Sequence, residues 1–271
     1  MSEIKSMNSV NKTLYIPLYG KSYVSHRGML LHDKKAEEIW DKEGFLLKGK
    51  SKSKWLAFYM AMRARVFDEW VKTQFALDPQ AIVLHIGCGM DSRAQRVDLP
   101  DCVWYDIDFA QVIEARKKYF VETENYHMLI GDFREKDWLD AISEKRKAIV
   151  VLEGVSMYLS TTELQNALMN LQDQFDEVTI LMDCYSEFGA KISKFKNPIR
   201  EVGVNMVYGL DDPTILEKGG IQFIGARDMT PMYLINELQG LERVLYKRVY
   251  AGKIARKIYK LYEFEIKKRC E

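Results

Sequence analysis

Neither sign of charge is in surplus: 40 Lys and Arg face 39 Asp and Glu, a formal net charge of +1 at pH 7. A surface that holds nucleic acid or an anionic membrane shows a basic excess, so neither partner is expected. Cysteine is scarce. Cys88, Cys102, Cys184 and Cys270 stand far apart with no Cys-x-x-Cys pair, which excludes a zinc ribbon or a thioredoxin-type redox pair on spacing. So few thiols also fit a chain without a disulfide framework in a reducing compartment. His26, His32 and His127 lack metal-ligand spacing, and no metal site is expected. No segment reaches the roughly 18 to 20 apolar residues of a membrane span. The opening residues, with Glu3, Lys5 and Asn8, lack the apolar stretch of a signal peptide. The expectation is a cytoplasmic protein.

What is present suits a large core. The 271 residues are 47% apolar and 12% aromatic, enough for one large α/β domain. Residues 1–76 read as a helical cap, broken by Gly20, Gly28 and the Lys48–Ser53 stretch. Phe58, Met62, Val66, Trp70 and Val71 recur at helical spacing within Trp55–Phe75, and Asp78-Pro79 stops that helix. The period then changes. Ala81–Ile86, Val103–Ile107, Ala148–Leu152 and Val178–Met182 are short runs, apolar on both faces, as strands covered by helices on both sides should be.

Helical patterns lie between these runs. Phe109, Val112, Ile113 and Phe120 predict one shared face; Leu164, Leu168 and Leu171 predict another, after a Ser160-x-x-Glu163 capping box. Alternating strands and helices predict a doubly wound, mostly parallel sheet, with its ligand at the carboxyl ends of the strands. The expected organisation is one domain over 1–271, with a cofactor-binding core at 77–190. A lid-like insertion at 191–232, broken by Pro198, Gly203, Gly209, Pro213 and Gly219-Gly220, would follow. Residues 233–271 would complete the sheet with a strand at Tyr262–Ile266. The tail from Leu241 carries ten Lys or Arg against four Glu. Ile254, Ile258 and Leu261 give it an apolar stripe, which favours a solvated helix face and a last strand over a nucleic-acid surface.

The sharpest local signal is Val83-Leu-His-Ile-Gly87-Cys-Gly89-Met-Asp91, a strand running into a glycine turn where backbone can approach a ligand. About twenty residues on, Trp104-Tyr-Asp106-Ile-Asp108 places acids at a second strand end, where a carboxylate takes ribose hydroxyls. A dinucleotide site wants a third glycine, but Ser92 stands there, and Asp91 would face a phosphate unfavourably. The ligand expected is a nucleoside without phosphates, of which S-adenosylmethionine is the common one.

With these motifs in order, the chain resembles the leucine carboxyl methyltransferase superfamily of class I S-adenosylmethionine-dependent methyltransferases. Within it, the bacterial branch related to the tetracenomycin polyketide O-methyltransferase is the most similar. The stretches that carry the resemblance are Leu14-Tyr-Ile-Pro-Leu-Tyr-Gly20, Arg63-Ala-Arg-Val-Phe-Asp68, Gly87-Cys-Gly-Met-Asp-Ser-Arg93, Trp104-Tyr-Asp-Ile-Asp108 and Glu153-Gly-Val-Ser-Met-Tyr158. The fold implied is Rossmann-like, and the cofactor implied is S-adenosylmethionine. Gly87 and Gly89 would hold its methionyl part through the backbone, and Asp108, or failing it Asp106, the ribose. Asp132 and Phe133 would lie against the adenine, and Glu153 would face the amino-acid end. Arg63 would pair with the cofactor carboxylate, helped by Lys21, with Arg65 the other candidate.

Several of these residues also have ordinary structural roles open to them. Asp108 could simply cap the helix that begins at Phe109, either arginine could be a solvated helix position, and His85 reads as packing. Glu153 is harder to explain away, because an isolated buried carboxylate is costly.

Methyl transfer needs mainly alignment and exclusion of water. No dedicated base is evident in the core motifs, which leaves a carboxylate or an acidic phenol as the favoured acceptor. Amine methylators often carry Asn/Asp-Pro-Pro-Tyr/Phe after the fourth strand; here that place reads Glu153-Gly-Val-Ser156, which favours oxygen. Tyr158 could line the acceptor pocket or belong to the core, and Tyr15, Tyr19 and Tyr23 could close over it. The expected partner is a small-molecule acceptor, polyketide-like, bound by a monomer or homodimer. A protein C-terminal carboxylate, a nicotinamide-dependent oxidoreductase and a non-catalytic nucleoside-binding module are the competing classes.

Overall fold

A computed structural model describes residues 9–43, 49–196, 206–252 and 255–268. Glu3, Lys5, Asn8, Lys48, Pro198, Gly203, Ile254 and Cys270, each used in the sequence analysis, lie outside the described residues.

The N-terminal third is helical: α1 (Ser9–His26), α2 (Lys34–Glu43) and α3 (Lys54–Leu77). Asp78 adopts an extended backbone before Pro79 and ends α3 where the proline effect requires. Alternating elements follow: β1 (Ile82–Ile86), α4 (Arg93–Val97), β2 (Trp104–Asp108), α5 (Ala110–Arg116), β3 (Tyr126–Ile130), β4 (Lys147–Leu152), α6 (Thr161–Gln174), β5 (Glu177–Tyr185) and α7 (Glu187–Lys196). The described chain closes with β6 (Ile221–Arg227), α8 (Met232–Glu237), α9 (Gly240–Leu245), α10 (Ala255–Ile258) and β7 (Tyr259–Lys267).

The seven strands form one sheet in the order β3-β2-β1-β4-β5-β7-β6. The first five are parallel; β7 runs antiparallel to both β5 and β6. This is the doubly wound, mostly parallel sheet expected, and strand order reverses between β1 and β4, where such sheets bind ligands. Alternation along β1 sends Ile82, Leu84 and Ile86 into a cluster with Leu164, Leu168 and Leu171 of α6. On the other face, Val83, Ile149, Val151 and Leu181 join Phe58, Met62, Phe67 and Trp70 of α3. Each such side chain withdrawn from water contributes roughly 1.5–3 kcal/mol. The Ser160–Glu163 capping box is formed at the start of α6.

Three expectations change. Phe109 is 48% exposed because it is the extended N-cap residue of α5, off the face that Val112 and Ile113 bury. The segment expected as an irregular insertion at 191–232 opens inside α7 and contains β6. Alternate residues of β6 are open to solvent, and Gly225 lies at a register shift, so the run lacks an apolar signature. The final strand begins three residues before the one read from the sequence. Among the described residues, no helix is long and apolar enough to cross a membrane.

Candidate functional site

A cavity opens at the carboxyl end of β1, roofed by Leu14, Ile16, Pro17 and Lys21 of α1. That roof lies close because α1 crosses α3 at Gly20, where an added Cβ would come within 2.9 Å of Met60 Cβ. The floor is the turn after β1. Gly87 has φ +67°, and its Cβ would meet Val155 Cγ2 at 2.3 Å, so both backbone and space require glycine there. The N–H groups of Gly87 and Cys88 donate to the Ile107 carbonyl at 2.8 and 3.2 Å, fixing the turn beside β2.

Charged side chains form a buried chain along this wall. Arg63, on α3, donates to Asp183 Oδ2 at 2.7 Å and reaches Glu153 Oε1 at 2.9 Å. Glu153 also binds Arg93, whose Nε meets Asp68 at 2.7 Å. Arg96 joins Asp68, Asp33 and Asp91, and Lys21 Nζ lies 2.8 Å from Asp91. Burial pushes the Glu153 carboxyl up, but Arg63 and Arg93 outweigh it and hold the group at about 2. Arg63 is not fully used: its buried Nε has no partner among the protein atoms. A buried guanidinium donor without an acceptor is costly, and this one belongs to a residue lining the cavity. Arg65, the alternative candidate, instead binds Glu69 and the Leu30 carbonyl away from the cavity.

Asp108 stands at the end of β2, 7% exposed, accepting from the N–H groups of Gly89 and Phe109 at 2.8 Å each. Burial moves its carboxyl upward despite these bonds. It therefore ties the glycine turn to the Phe109 N–H just ahead of α5, without itself capping that helix. Asp106, the second choice for the ribose, is fully buried and already accepts from Arg116, Tyr126, His85 and Trp104. Burial works against its charge, yet Arg116 keeps it at about 2. Its four donors make it a structural acceptor beneath the site, a correction to the sequence expectation. His85 is fixed by the same logic. Arg93 can only donate, so His85 Nε2 accepts and Nδ1 carries the hydrogen toward Asp106.

Gly87, Gly89, Glu153, Arg63, Lys21 and Tyr158 are thus brought to one cavity. Asp132 is half-buried and bound by Arg134 at the end of β3. Phe133 is a second correction: its ring belongs to the core cluster with Ile107, Trp138 and Leu139, so it is not free to stack on a base. Asp183 and Arg93 were missed. Each had a signal: Asp183 follows the apolar run Val178–Met182 as Glu153 follows Ala148–Leu152, and Arg93 closes the Gly87–Arg93 stretch.

The model of the leucine carboxyl methyltransferase family matches residues 9–172. The chain belongs to that family. As a leucine carboxyl methyltransferase family member it is 34% identical over 159 residues to the tetracenomycin polyketide synthesis O-methyltransferase TcmP of Streptomyces glaucescens, covering 58% of this chain and 59% of TcmP. It is 27% identical over 183 residues to the S-adenosyl-L-methionine-dependent methyltransferase dpfgK of Gibberella zeae, covering 62% and 61%. The match therefore spans about three fifths of these curated relatives. Among solved structures, a candidate methyltransferase from Thermobifida fusca YX shares the fold, with TM-score 0.56 and 15% identity over 92% of this chain and 94% of that one.

Proposed function

We propose that this chain transfers a methyl group from S-adenosylmethionine to an oxygen atom of a small-molecule acceptor. The observation that carries this assignment is one cavity lined together by Arg63, Lys21, Glu153 and the Gly87 turn. Arg63 and Lys21 would take the carboxylate of the donor's methionine part, and Glu153 its ammonium group. Backbone at Gly87 and Gly89 would lie along that tail. Asp108 would accept from the ribose, and Asp132 would border the base. When bound, the donor supplies a methyl group already activated on a sulfonium, so the protein's task is orientation and exclusion of water. Family membership and the relatives named above support the same activity. Oxygen is favoured because Gly154-Val155-Ser156 replaces the prolines that amine methylators use after the fourth strand.

Calorimetric titration with S-adenosylmethionine and S-adenosylhomocysteine, followed by transfer of labelled methyl to phenols, carboxylic acids and amines, tests the proposal. Binding of both, with label on oxygen, is the expected result. Absence of binding, or label on amines alone, overturns it.

A further inference from the structure

His85 is 1% exposed on β1, yet its ring borders the cavity beside the Gly87 turn. Both ring nitrogens are used. Nδ1 donates to Asp106 at 3.0 Å, and Nε2 accepts from Arg93 Nη1 at 3.1 Å. The Trp104 ring meets the imidazole edge-on, 6.2 Å between centroids and 84° between planes. Asp106 is itself anchored by Arg116, Tyr126 and Trp104, so one end of the imidazole is tied to a fixed acceptor beneath the site. A packing role does not require this pair of bonds; a role in orienting Arg93 does.

Arg93 is fully buried and spends its fork in three directions. Nε donates to Asp68 at 2.7 Å, Nη1 to His85, and Nη2 to Glu153, with Asp91 3.4 Å from the same Nη2. A guanidinium is planar and its donors are rigidly disposed, so acceptors on Nε and Nη1 settle where Nη2 points. Here it points at Glu153 Oε2, while Oε1 is met by Arg63 at 2.9 Å. Glu153 lines the cavity, so its carboxylate is aimed from behind by a side chain buried in the wall. Asp68 alone would leave the guanidinium free to swing about the Nε bond toward Asp91, and Nη1 would become a buried donor without an acceptor, which is costly.

Resting on the methyl-transfer assignment, in which Glu153 takes the donor's ammonium group, we propose that His85 is a positioning residue for donor recognition. Through Arg93 it aims the Glu153 carboxylate at that ammonium group, and so sets how strongly the site selects a donor that carries an α-amino group. His85 acts on that one end of the ligand. The carboxylate end belongs to Arg63 and Lys21, and the ribose end to Asp108, neither of which depends on the His85–Arg93 bond.

The test is calorimetric titration of wild type, His85→Leu, His85→Asn, His85→Gln and Val83→Ala with two ligands: S-adenosylhomocysteine and the same thioether lacking its α-amino group. Wild type is expected to prefer S-adenosylhomocysteine by on the order of 100-fold, because the deaminated ligand leaves a buried carboxylate unanswered. In His85→Leu the preference should fall to about tenfold or less, chiefly through weaker S-adenosylhomocysteine binding. His85→Asn keeps an amide beside Asp106 but is too short for Arg93, and should fall equally; it carries the comparison should the leucine variant not fold. His85→Gln places an amide oxygen within reach of Arg93 and should recover most of the preference. Val83→Ala trims the core two residues earlier on β1, and should lower the melting temperature while leaving the preference as in wild type. An unchanged preference in His85→Asn, an equal loss for both ligands, or the same fall in Val83→Ala overturns the positioning role. Wild type that binds both ligands alike overturns it as well, at Glu153. Wild type that binds neither strikes the methyl-transfer assignment beneath it.

Discussion

Arg63 Nη1 donates to Asp183 Oδ2 over 2.7 Å, tying the third helix to the fifth strand inside the protein. The same guanidinium reaches Glu153, so one cation answers two carboxylates and still has Nε to spare. One side chain therefore holds two elements of the sheet's parallel half to the third helix.

Arg63→Met should be expensive for that reason. It leaves Asp183 and part of Glu153 uncompensated in a buried site, a loss of about 3–5 kcal/mol. Urea unfolding with an unchanged m-value is the measurement. Arg65→Ala, two residues along the same helix, removes only partly exposed bonds to Glu69 and Leu30 and should cost no more than about 1 kcal/mol. Its affinity for S-adenosylhomocysteine should match wild type; a weakened affinity would return Arg65 to the site.

Acid should unfold the protein through the same carboxyls. Glu153 and Asp106 are held at about 2, below their ordinary 4.5 and 3.8, because arginines outweigh the cost of burial. A depressed folded-state pKa gives stability that is complete above the unfolded value and is lost as pH falls toward the folded one. Melting temperature should accordingly hold down to about pH 5 and drop steeply between about pH 4.5 and 2. A flat profile across that window in calorimetry contradicts the buried ion pairs.

Gly87→Ala combines two penalties. A left-handed backbone costs an L-residue about 1–2 kcal/mol, and the new methyl meets Val155. The double variant Gly87→Ala/Val155→Ala should recover the contact part and retain the backbone part. Chemical denaturation of the three proteins separates the two contributions.

Ser160→Ala removes the hydroxyl half of the capping box at α6, the acceptor for Glu163 N–H, and leaves the Ser160 backbone N–H donating to Glu163 Oε2. About 1 kcal/mol should be lost, with donor binding unaffected.

Four of the five parallel strands were legible in the sequence because they are covered on both faces and read as unbroken apolar runs; β3, half-exposed at one edge, has no such run. The opposite edge was not legible either. Ile221–Arg227 alternates burial with exposure and carries Gly225, so it resembles the loop before it. In the site, the strand-end positions of Glu153 and Asp108 and the glycine turn followed from local pattern. Which acid remains available did not: Asp106 and Asp108 differ by two residues and point to the same face, and only the approach of Arg116, Tyr126 and Trp104 separates them. The pairing of Asp183 with Arg63 spans 120 positions, a distance over which periodicity carries no information.

β7 follows β6 in the chain yet lies between it and β5. During synthesis the ribosome releases β5 and β6 before the strand that must join them. The β5 rim therefore waits unpaired until Tyr259–Lys267 emerges, and a vectorially growing chain cannot close its sheet one neighbour at a time. Because Tyr259 arrives on that strand, the cavity lacks this part of its lining until β7 has slotted between its neighbours.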